Sequence, residues 1–207
     1  MHIKRKFLRS ASHFVSSDRD SQLYSRCEAK RLITFIYAQH NEGKDTILAT
    51  NGHIALRISY DNPENVSSES FIISPKAEFL KLSGSNKVAR EESLNFEAKG
   101  EGYQVKTEKK VYSNLDRKGV DKFPDIHELF ENFSQKENAP NKFAIDPDLI
   151  EKVNKGRKEL GLKNDRIEWN FPSQTNMPIL LELDSLGYSL ESNLRWQCLV
   201  MPQQIKN

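Results

Sequence analysis

The order of predicted secondary structure repeats along the chain, and this repeat limits the fold more than any single motif does. We identify three copies of a strand–helix–three-strand unit, each about 50–65 residues long. The copies agree better in the order of their elements than in their residues. Such a repeat predicts an α+β fold, in which helices cover one face of antiparallel sheets.

The first copy opens with an amphipathic helix. Between residues 6 and 15 the apolar side chains have the spacing of one helix face. These side chains are Phe7, Leu8, Ala11, Phe14 and Val15. Lys6, Arg9 and His13 fall on the opposite side.

Three strands are predicted to follow this helix. They are expected at 31–37, 46–49 and 53–60. Asn51-Gly52 separates the last two, and this dipeptide is a strong signal for a tight hairpin turn.

The second and third copies carry helix start signals. Ser74-Pro75 predicts a helix over 75–82, and Asp146-Pro147 predicts one that runs to Leu160 and ends at Gly161. Strands are expected at 71–73, 93–98, 102–107, 109–115, 166–171, 178–184 and 194–200.

Composition excludes several classes of protein. The 207 residues include 31 basic and 29 acidic side chains, so nucleic-acid binding would require local segregation of charge. No apolar run approaches the ~20 residues that a membrane span needs, and the basic N-terminus lacks the apolar core of a signal peptide. Cys27 and Cys198 are isolated, as suits a reducing compartment. We therefore expect a cytoplasmic protein without a membrane partner.

Catalytic and cofactor motifs are missing from the sequence. The five histidines show no metal-ligand spacing, and there is no phosphate-binding glycine loop and no nucleophile elbow. We expect no cofactor and no metal. His53 directly follows Asn51-Gly52 and could act as a general base, so an enzyme that uses His53 remains an alternative hypothesis.

Three apolar clusters stand out in this polar chain. They are Ile54-Ala55, the stretch 123–130 and the stretch 199–202. Each could close a local core. Together they could also form an apolar groove between two domains, which is a common docking place for a peptide.

The residues of these clusters resemble signatures of one family, the bacterial DNA polymerase III beta sliding clamp. "LATNGHIAL" resembles the family's ATDGHRLA, "KFPDI" resembles its FPDY, and "CLVMPQQI" resembles its terminal VVMPMRL. The three islands occur in the family's order.

This resemblance implies a non-catalytic DNA replication protein that binds double-stranded DNA without reading its sequence. It also implies a homo-oligomer, a clamp loader, and partners such as a DNA polymerase that carry clamp-binding peptides. The implied peptide groove consists of Thr50, Gly52, His53, Ile54, Ala55, Pro124, Leu129, Leu199, Val200 and Met201. The implied DNA contacts are Lys6, Arg9, Lys76, Lys152, Lys155 and Lys158. From spacing alone, the three α-helical lysines at 152, 155 and 158 also fit a solvated face of mixed charge.

The sequence departs from the family at the groove and in length. Asn51 replaces the signature Asp, and Ile54-Ala55 replaces its Arg-Leu. We expect a clamp-like domain of two units at 1–120, a connector at 121–141 and a shortened domain of one unit at 142–207. Two hypotheses follow: a small processivity clamp, such as one from a phage or mobile element, and a monomeric or dimeric adaptor that binds clamp-interacting peptides without encircling DNA.

Overall fold

The computed structural model describes residues 1–16, 33–63, 68–82, 87–116, 120–133, 144–162, 166–172, 177–183 and 194–202. The predictions that concern Cys27, the start of the 31–37 strand and the tail after Pro202 lie outside these ranges. The strands are β1 (His2–Lys4), β2 (Ile36–Asn41), β3 (Lys44–Thr50), β4 (Ile54–Asp61), β5 (Glu69–Ile73), β6 (Ser93–Lys99), β7 (Gly102–Lys106), β8 (Val111–Asp116), β9 (Glu168–Asn170), β10 (Ile179–Leu183) and β11 (Arg195–Val200). The helices are α1 (Arg5–Ser12), α2 (Lys87–Glu91), α3 (His127–Glu131) and α4 (Pro147–Leu160).

The first two units exchange strands between two antiparallel sheets. One sheet has the order β1-β6-β7-β8, and the other has the order β5-β2-β3-β4-β11-β10-β9. The first strand of each unit therefore pairs with strands of the other unit: β1 with β6, and β5 with β2. This exchange confirms the predicted α+β fold of repeated units with antiparallel sheets.

The third unit extends the sheet of the first. Strand β11 pairs with β4, with Trp196 opposite Ile58 and Val200 opposite Ile54. The seven-stranded sheet thus takes strands from both predicted domains. The division at 121–141 stays a prediction.

Helices α1 and α4 pack side by side on one face of the seven-stranded sheet. Their contact is close at Gly156, where an added Cβ would lie 2.6 Å from Cε2 of Phe14. The ring of Phe14 in turn meets Trp196 of β11 edge-on, with centroids 6.2 Å apart. The same Cβ would lie 3.2 Å from Oγ of Ser10 in α1, so the absence of a side chain at Gly156 lets the two helices approach closely.

The predicted start and end of α4 are confirmed. The side chain of Asp146 accepts a hydrogen bond from the N–H of Asp148 at 2.9 Å, and Pro147 occupies the first helical position. Gly161 ends the helix with φ +83, a left-handed conformation that glycine adopts without strain. The predicted apolar face is buried; it consists of Leu149, Val153 and Leu160.

The predicted helix at 75–82 is wrong. Only one short 3-10 turn forms there, Glu78–Leu80. The backbone of Ala77 lies outside the helical region, with φ −52 and ψ 137, so no helix runs through it. Two side chains of α1 hold the turn that forms instead: Arg5 donates to the carbonyl of Phe79 at 2.8 Å, and Arg9 donates to that of Leu80 at 3.0 Å. So short a segment is a poor helix nucleus, and these tertiary contacts determine its shape.

The second strand lies further along the chain than predicted. Residues 33–35 form a turn, and β2 runs over Ile36–Asn41. Near its end, the imidazole of His40 is buried and its Nδ1 lies 2.6 Å from the carboxylate of Asp45 on β3. No helix within the described ranges is long and apolar enough to cross a bilayer.

Candidate peptide-binding groove

The turn between β3 and β4 is built from its own polar side chains. The Asn51 side chain accepts hydrogen bonds from the N–H groups of His53 and Ile54 at 2.9 and 3.0 Å. Thr50 Oγ1 donates to the Ile54 carbonyl at 2.8 Å and accepts from the N–H of Gly52 at 3.0 Å. Gly52 has φ +89, as the predicted tight turn requires. Thr50 and Gly52 thus shape the turn rather than present side chains to a ligand.

Strand alternation divides the predicted groove residues between two faces. Ile54 and Val200 are opposite each other and belong to the main core on the helix side of the sheet. Ala55 and Leu199 are the next pair and point to the other, outer face. The assignment of Ile54 and Val200 to the groove wall is therefore corrected, because successive side chains of a strand point to opposite faces.

A small apolar cluster on the outer face joins the predicted groove to the connector. We call it the outer cluster; its buried members are Leu48, Ala55, Ile126, Phe130, Leu180 and Leu199. Ile126 and Phe130 come from the start and the body of α3. Helix α3 therefore lies on the face opposite α1 and α4, and it covers the floor that Ala55 and Leu199 would otherwise offer.

Besides Gly52 in the turn, four predicted groove residues remain accessible around this cluster. Met201 is 38% exposed and Leu129 is 54% exposed, although both are large and apolar. His53 is exposed, and its carbonyl accepts the N–H of Met201 at 2.9 Å. Pro124 is half-buried at the start of the segment that leads into α3. The structure thus joins His53 to Met201 directly, while Leu129 stands on the helix that covers the outer cluster.

Arg57 is the residue that holds α3 to the sheet, and sequence reasoning missed it. It is only 5% exposed. Its Nη1 bonds Nδ1 of His127 at 2.9 Å and pairs with the carboxylate of Glu131, and its guanidinium lies 4.7 Å from the ring centroid of Phe130. Hydrogen bonding to Arg57 and its charge hold the pKa of Glu131 below its usual range. The sequence does carry one signal for this contact, because Arg57 is the single charged residue in the apolar stretch 54–58 of β4.

A chain of polar side chains continues from Arg57 across the outer face. Arg57 Nε donates to Gln197 at 2.8 Å, and Gln197 donates to Glu182 at 2.5 Å. Asn170 of β9 donates to the other oxygen of Glu182 at 3.0 Å. Each of these hydrogen bonds joins two neighbouring strands, so side chains connect β4 to β9 across the outer face of the sheet.

The predicted DNA contacts on α1 are paired with acidic side chains. Lys6 is only 5% exposed, and its Nζ lies 2.8 Å from the carboxylate of Glu91. Arg9 places two guanidinium nitrogens on the carboxylate of Glu159, at 2.8 and 3.0 Å. Burial alone would raise the pKa of Glu159, but the hydrogen bonds and charge of Arg9 lower it on balance. The polar side of α1 that carries Lys6 and Arg9 is therefore covered by α2 and α4, which supply their acidic partners.

The basic residues that reach the surface lie elsewhere. Lys155 and Lys158 are exposed on α4, Lys152 is half-buried there, and Lys76 is exposed before the 3-10 turn. Lys155 pairs with Glu151 one turn away at 2.8 Å. An exposed pair of this kind is weak and is screened by salt, so Lys155 can still exchange Glu151 for another anion.

His53 is the residue on which the catalytic alternative depends. Among the described residues, no hydrogen bond or ion pair reaches its imidazole. The same part of the chain contains no group of three or more His, Cys, Asp and Glu side chains that could hold a metal ion. The large apolar side chains that are accessible on this face, Leu129 and Met201, are of the kind that partners bury.

Comparisons with known proteins place this arrangement in one class. No protein-family model matches the sequence, and no curated protein matches it either. Solved structures do match: the chain has the fold of DNA clamps. The matched structures are bacterial DNA polymerase III beta sliding clamps, so the predicted resemblance to that family is confirmed.

Three of these structures show how far the likeness extends. The beta subunit of Thermotoga maritima matches with a TM-score of 0.62 and 14% identity, over 100% of this chain and 65% of that one. The Pseudomonas aeruginosa clamp bound to griselimycin matches with a TM-score of 0.62 and 11% identity, over 99% of this chain and 65% of that one. The Helicobacter pylori clamp bound to a DNA ligase peptide matches with a TM-score of 0.58 and 12% identity, over 100% of this chain and 67% of that one. The chain thus spans about 65% of the length of the first two, and these identities establish the fold alone.

Proposed function

We propose that this protein is a non-catalytic, sliding-clamp-like replication protein of the cytoplasm that tethers a DNA polymerase or another partner through a short peptide. The observation that carries the proposal is the clamp fold over the whole chain, combined with exposed Met201 and Leu129 around the outer cluster. The Helicobacter pylori clamp, which shares this fold, holds a DNA ligase peptide. A similar apolar peptide is the ligand that we assign to this chain.

The peptide docks on the rim of the outer cluster rather than on its floor. Ile126 and Phe130 already fill the space above Ala55 and Leu199. Met201, Leu129 and the exposed side of His53 are what the peptide covers. Burying exposed apolar surface contributes roughly 25 cal/mol per Å², so a few such contacts support a weak, reversible complex.

DNA is contacted from the helix side through phosphates alone. Lys152, Lys155 and Lys158 present positive charge along one side of α4, and Lys6 and Arg9 contribute little because acidic residues neutralise them. Phosphate contacts of this kind do not read sequence and weaken steeply with salt.

Assembly into a ring is supported by the two sheet edges. Strand β8 forms one edge of the four-stranded sheet and carries exposed Val111, and β9 forms one edge of the seven-stranded sheet and carries exposed Trp169. Edge strands with exposed apolar side chains are suited to pairing with another copy, head to tail. A closed ring of this kind would need a clamp loader to open it on DNA.

Light scattering tests the assembly, with and without a clamp-binding peptide. A mass of several chains that does not change on dilution supports the ring. A concentration-independent monomer overturns the ring and leaves the alternative, an adaptor that binds clamp-interacting peptides without encircling DNA. A monomer that also fails to bind the peptide overturns both.

A further inference from the structure

A second cleft lies on the outer face of the seven-stranded sheet, beside the predicted groove. It has a volume of about 740 Å³ and forms where the segment 120–125 passes over β2 and β3. Pro124 is the one residue that its described lining shares with the ten predicted groove residues. The cleft therefore adjoins the proposed peptide groove, and its floor of Tyr37, Leu48 and Phe123 continues the outer cluster.

The floor of this cleft is aromatic and held in place. The rings of Tyr37 and Phe123 stack with centroids 4.9 Å apart and an interplanar angle of 17°, and Leu48 lies buried beside them. The Tyr37 hydroxyl lies 3.2 Å from Gln39 Oε1 and 3.1 Å from Ser70 Oγ. Because the hydroxyl is anchored, the ring faces stay in position without a ligand.

The rim of the cleft is acidic. Asp121, Asp125 and Glu128 all line it. Glu131 and His127 line it too, but both are engaged by the buried guanidinium of Arg57. In a chain whose net charge is +2, this is a local reversal of sign. Carboxylates alone would be ordinary solvated groups; here they surround an apolar, aromatic floor.

We propose that this cleft binds a basic peptide segment of a protein partner. An arginine or lysine of that segment lies across the Tyr37–Phe123 pair, with its charged end toward Asp121 and Glu128, and a neighbouring aliphatic side chain contacts the apolar floor. Cations are attracted to aromatic faces, and an acidic rim steers a basic segment towards the cleft. A nucleic acid does not fit, since its phosphates would meet carboxylates.

A metal ion explains the cleft less well than a peptide does. Asp125 Oδ1 already accepts the N–H groups of His127 and Glu128, at 3.1 and 3.3 Å, and so caps α3. No metal-binding group of three or more side chains occurs in the described part of the chain. The stacked floor would also be irrelevant to an ion held by oxygen atoms.

Fluorescence anisotropy with the full chain tests the proposal. The probe is a short fluorescein-labelled peptide that carries arginines and leucines, and the comparison peptides replace either the arginines by glutamates or the leucines by serines. We expect binding of the probe that weakens with salt, and weaker binding of both comparison peptides. The double variant Asp121→Asn with Glu128→Gln should weaken probe binding about tenfold, since each rim charge contributes modestly.

A matched control uses two exposed acids of the other sheet, Glu101→Gln with Glu108→Gln, which should bind the probe as wild type does. Equal affinity of the cleft variant and this control would overturn the proposal. Equal binding of the serine-substituted peptide would also overturn it, because the cleft would then be a site for counter-ions only. Neither result bears on the clamp-like function, whose residues the cleft variant leaves intact.

Discussion

The guanidinium of Arg57 lies 4.7 Å from the ring centroid of Phe130, so a buried charge of the sheet is stacked against the connector helix that covers it. This contact fixes how much of the outer face remains open. Phe130 fills the outer cluster, while Leu129, its neighbour in α3, stays exposed. The geometry of the proposed groove therefore depends on a residue that never touches the ligand.

Replacing Arg57 by alanine should loosen α3. The change removes the stacking and leaves Gln197 buried without its donor, so we expect a loss of about 2–3 kcal/mol in the free energy of unfolding. Urea denaturation measures the loss, and hydrogen exchange should show faster exchange of the α3 amides. Arg195→Ala is the control, because Arg195 is exposed on the same face. Equal stability of the two variants would show that Arg57 does not hold α3.

Gly156→Ala should destabilise the contact between α1 and α4. The new Cβ would lie 2.6 Å from Phe14, and overpacking of this kind costs about 1–3 kcal/mol. Alanine is the better helix former by up to about 1 kcal/mol, so a net loss of about 1 kcal/mol is expected. Thermal or urea unfolding measures it, with exposed Asn154→Ala on the same helix as control. A Gly156→Ala protein more stable than wild type would contradict the packing described.

The ion pair of Arg9 with Glu159 should make the free energy of unfolding depend on pH in the acid range. The pKa of Glu159 lies below its ordinary value of 4.5 in the folded state, so its contribution is present above that value. The contribution is lost as the pH falls through the lowered pKa of the folded state. Unfolding curves measured at decreasing pH should therefore fall more steeply for wild type than for Glu159→Gln. Parallel pH dependence of the two proteins would rule out this role.

The salt dependence of DNA affinity tests whether the lysines of α4 contact DNA phosphates. Reversing Lys152, Lys155 and Lys158 to glutamate should weaken DNA binding and reduce the slope of log affinity against log salt by about 2–3, because each phosphate that a lysine neutralises accounts for about 0.9 of that slope. Filter binding or anisotropy at several salt concentrations gives the slope. The control reverses three other exposed lysines, which are Lys44, Lys99 and Lys109. If the slope falls equally in both triple variants, α4 has no special role.

Local signals predicted most of the fold. The caps Asp146-Pro147 and Gly161 gave the ends of α4, and Asn51-Gly52 gave the turn between β3 and β4, because these residues act through their own backbone or immediate neighbours. The prediction of a helix at 75–82 was wrong for the opposite reason. Arginines of α1, some seventy residues earlier, hold a short turn there through the carbonyls of Phe79 and Leu80, and sequence periodicity does not reveal such a contact.

The candidate site was predicted only in part. The motifs indicated that the turn, the connector and the last strand converge, and the outer cluster joins Ala55, Ile126 and Leu199. Strand alternation would have excluded Ile54 and Val200, had the register of β4 against β11 been known. The pairing of Lys6 with Glu91 depends on how α2 packs, and helix periodicity places Lys6 on the polar side without showing what covers it.

Binding of a clamp-binding peptide tests the central claim most directly. The peptide of a DNA ligase, the kind of ligand held by the Helicobacter pylori clamp, can be labelled with fluorescein and titrated with the full chain. We expect saturable binding by wild type and unchanged binding by Val111→Ala, which removes an exposed apolar side chain of the other sheet. Met201→Ala should weaken binding about tenfold, or ~1.4 kcal/mol. No binding by wild type, or equal binding by Met201→Ala, would contradict a partner groove at this face.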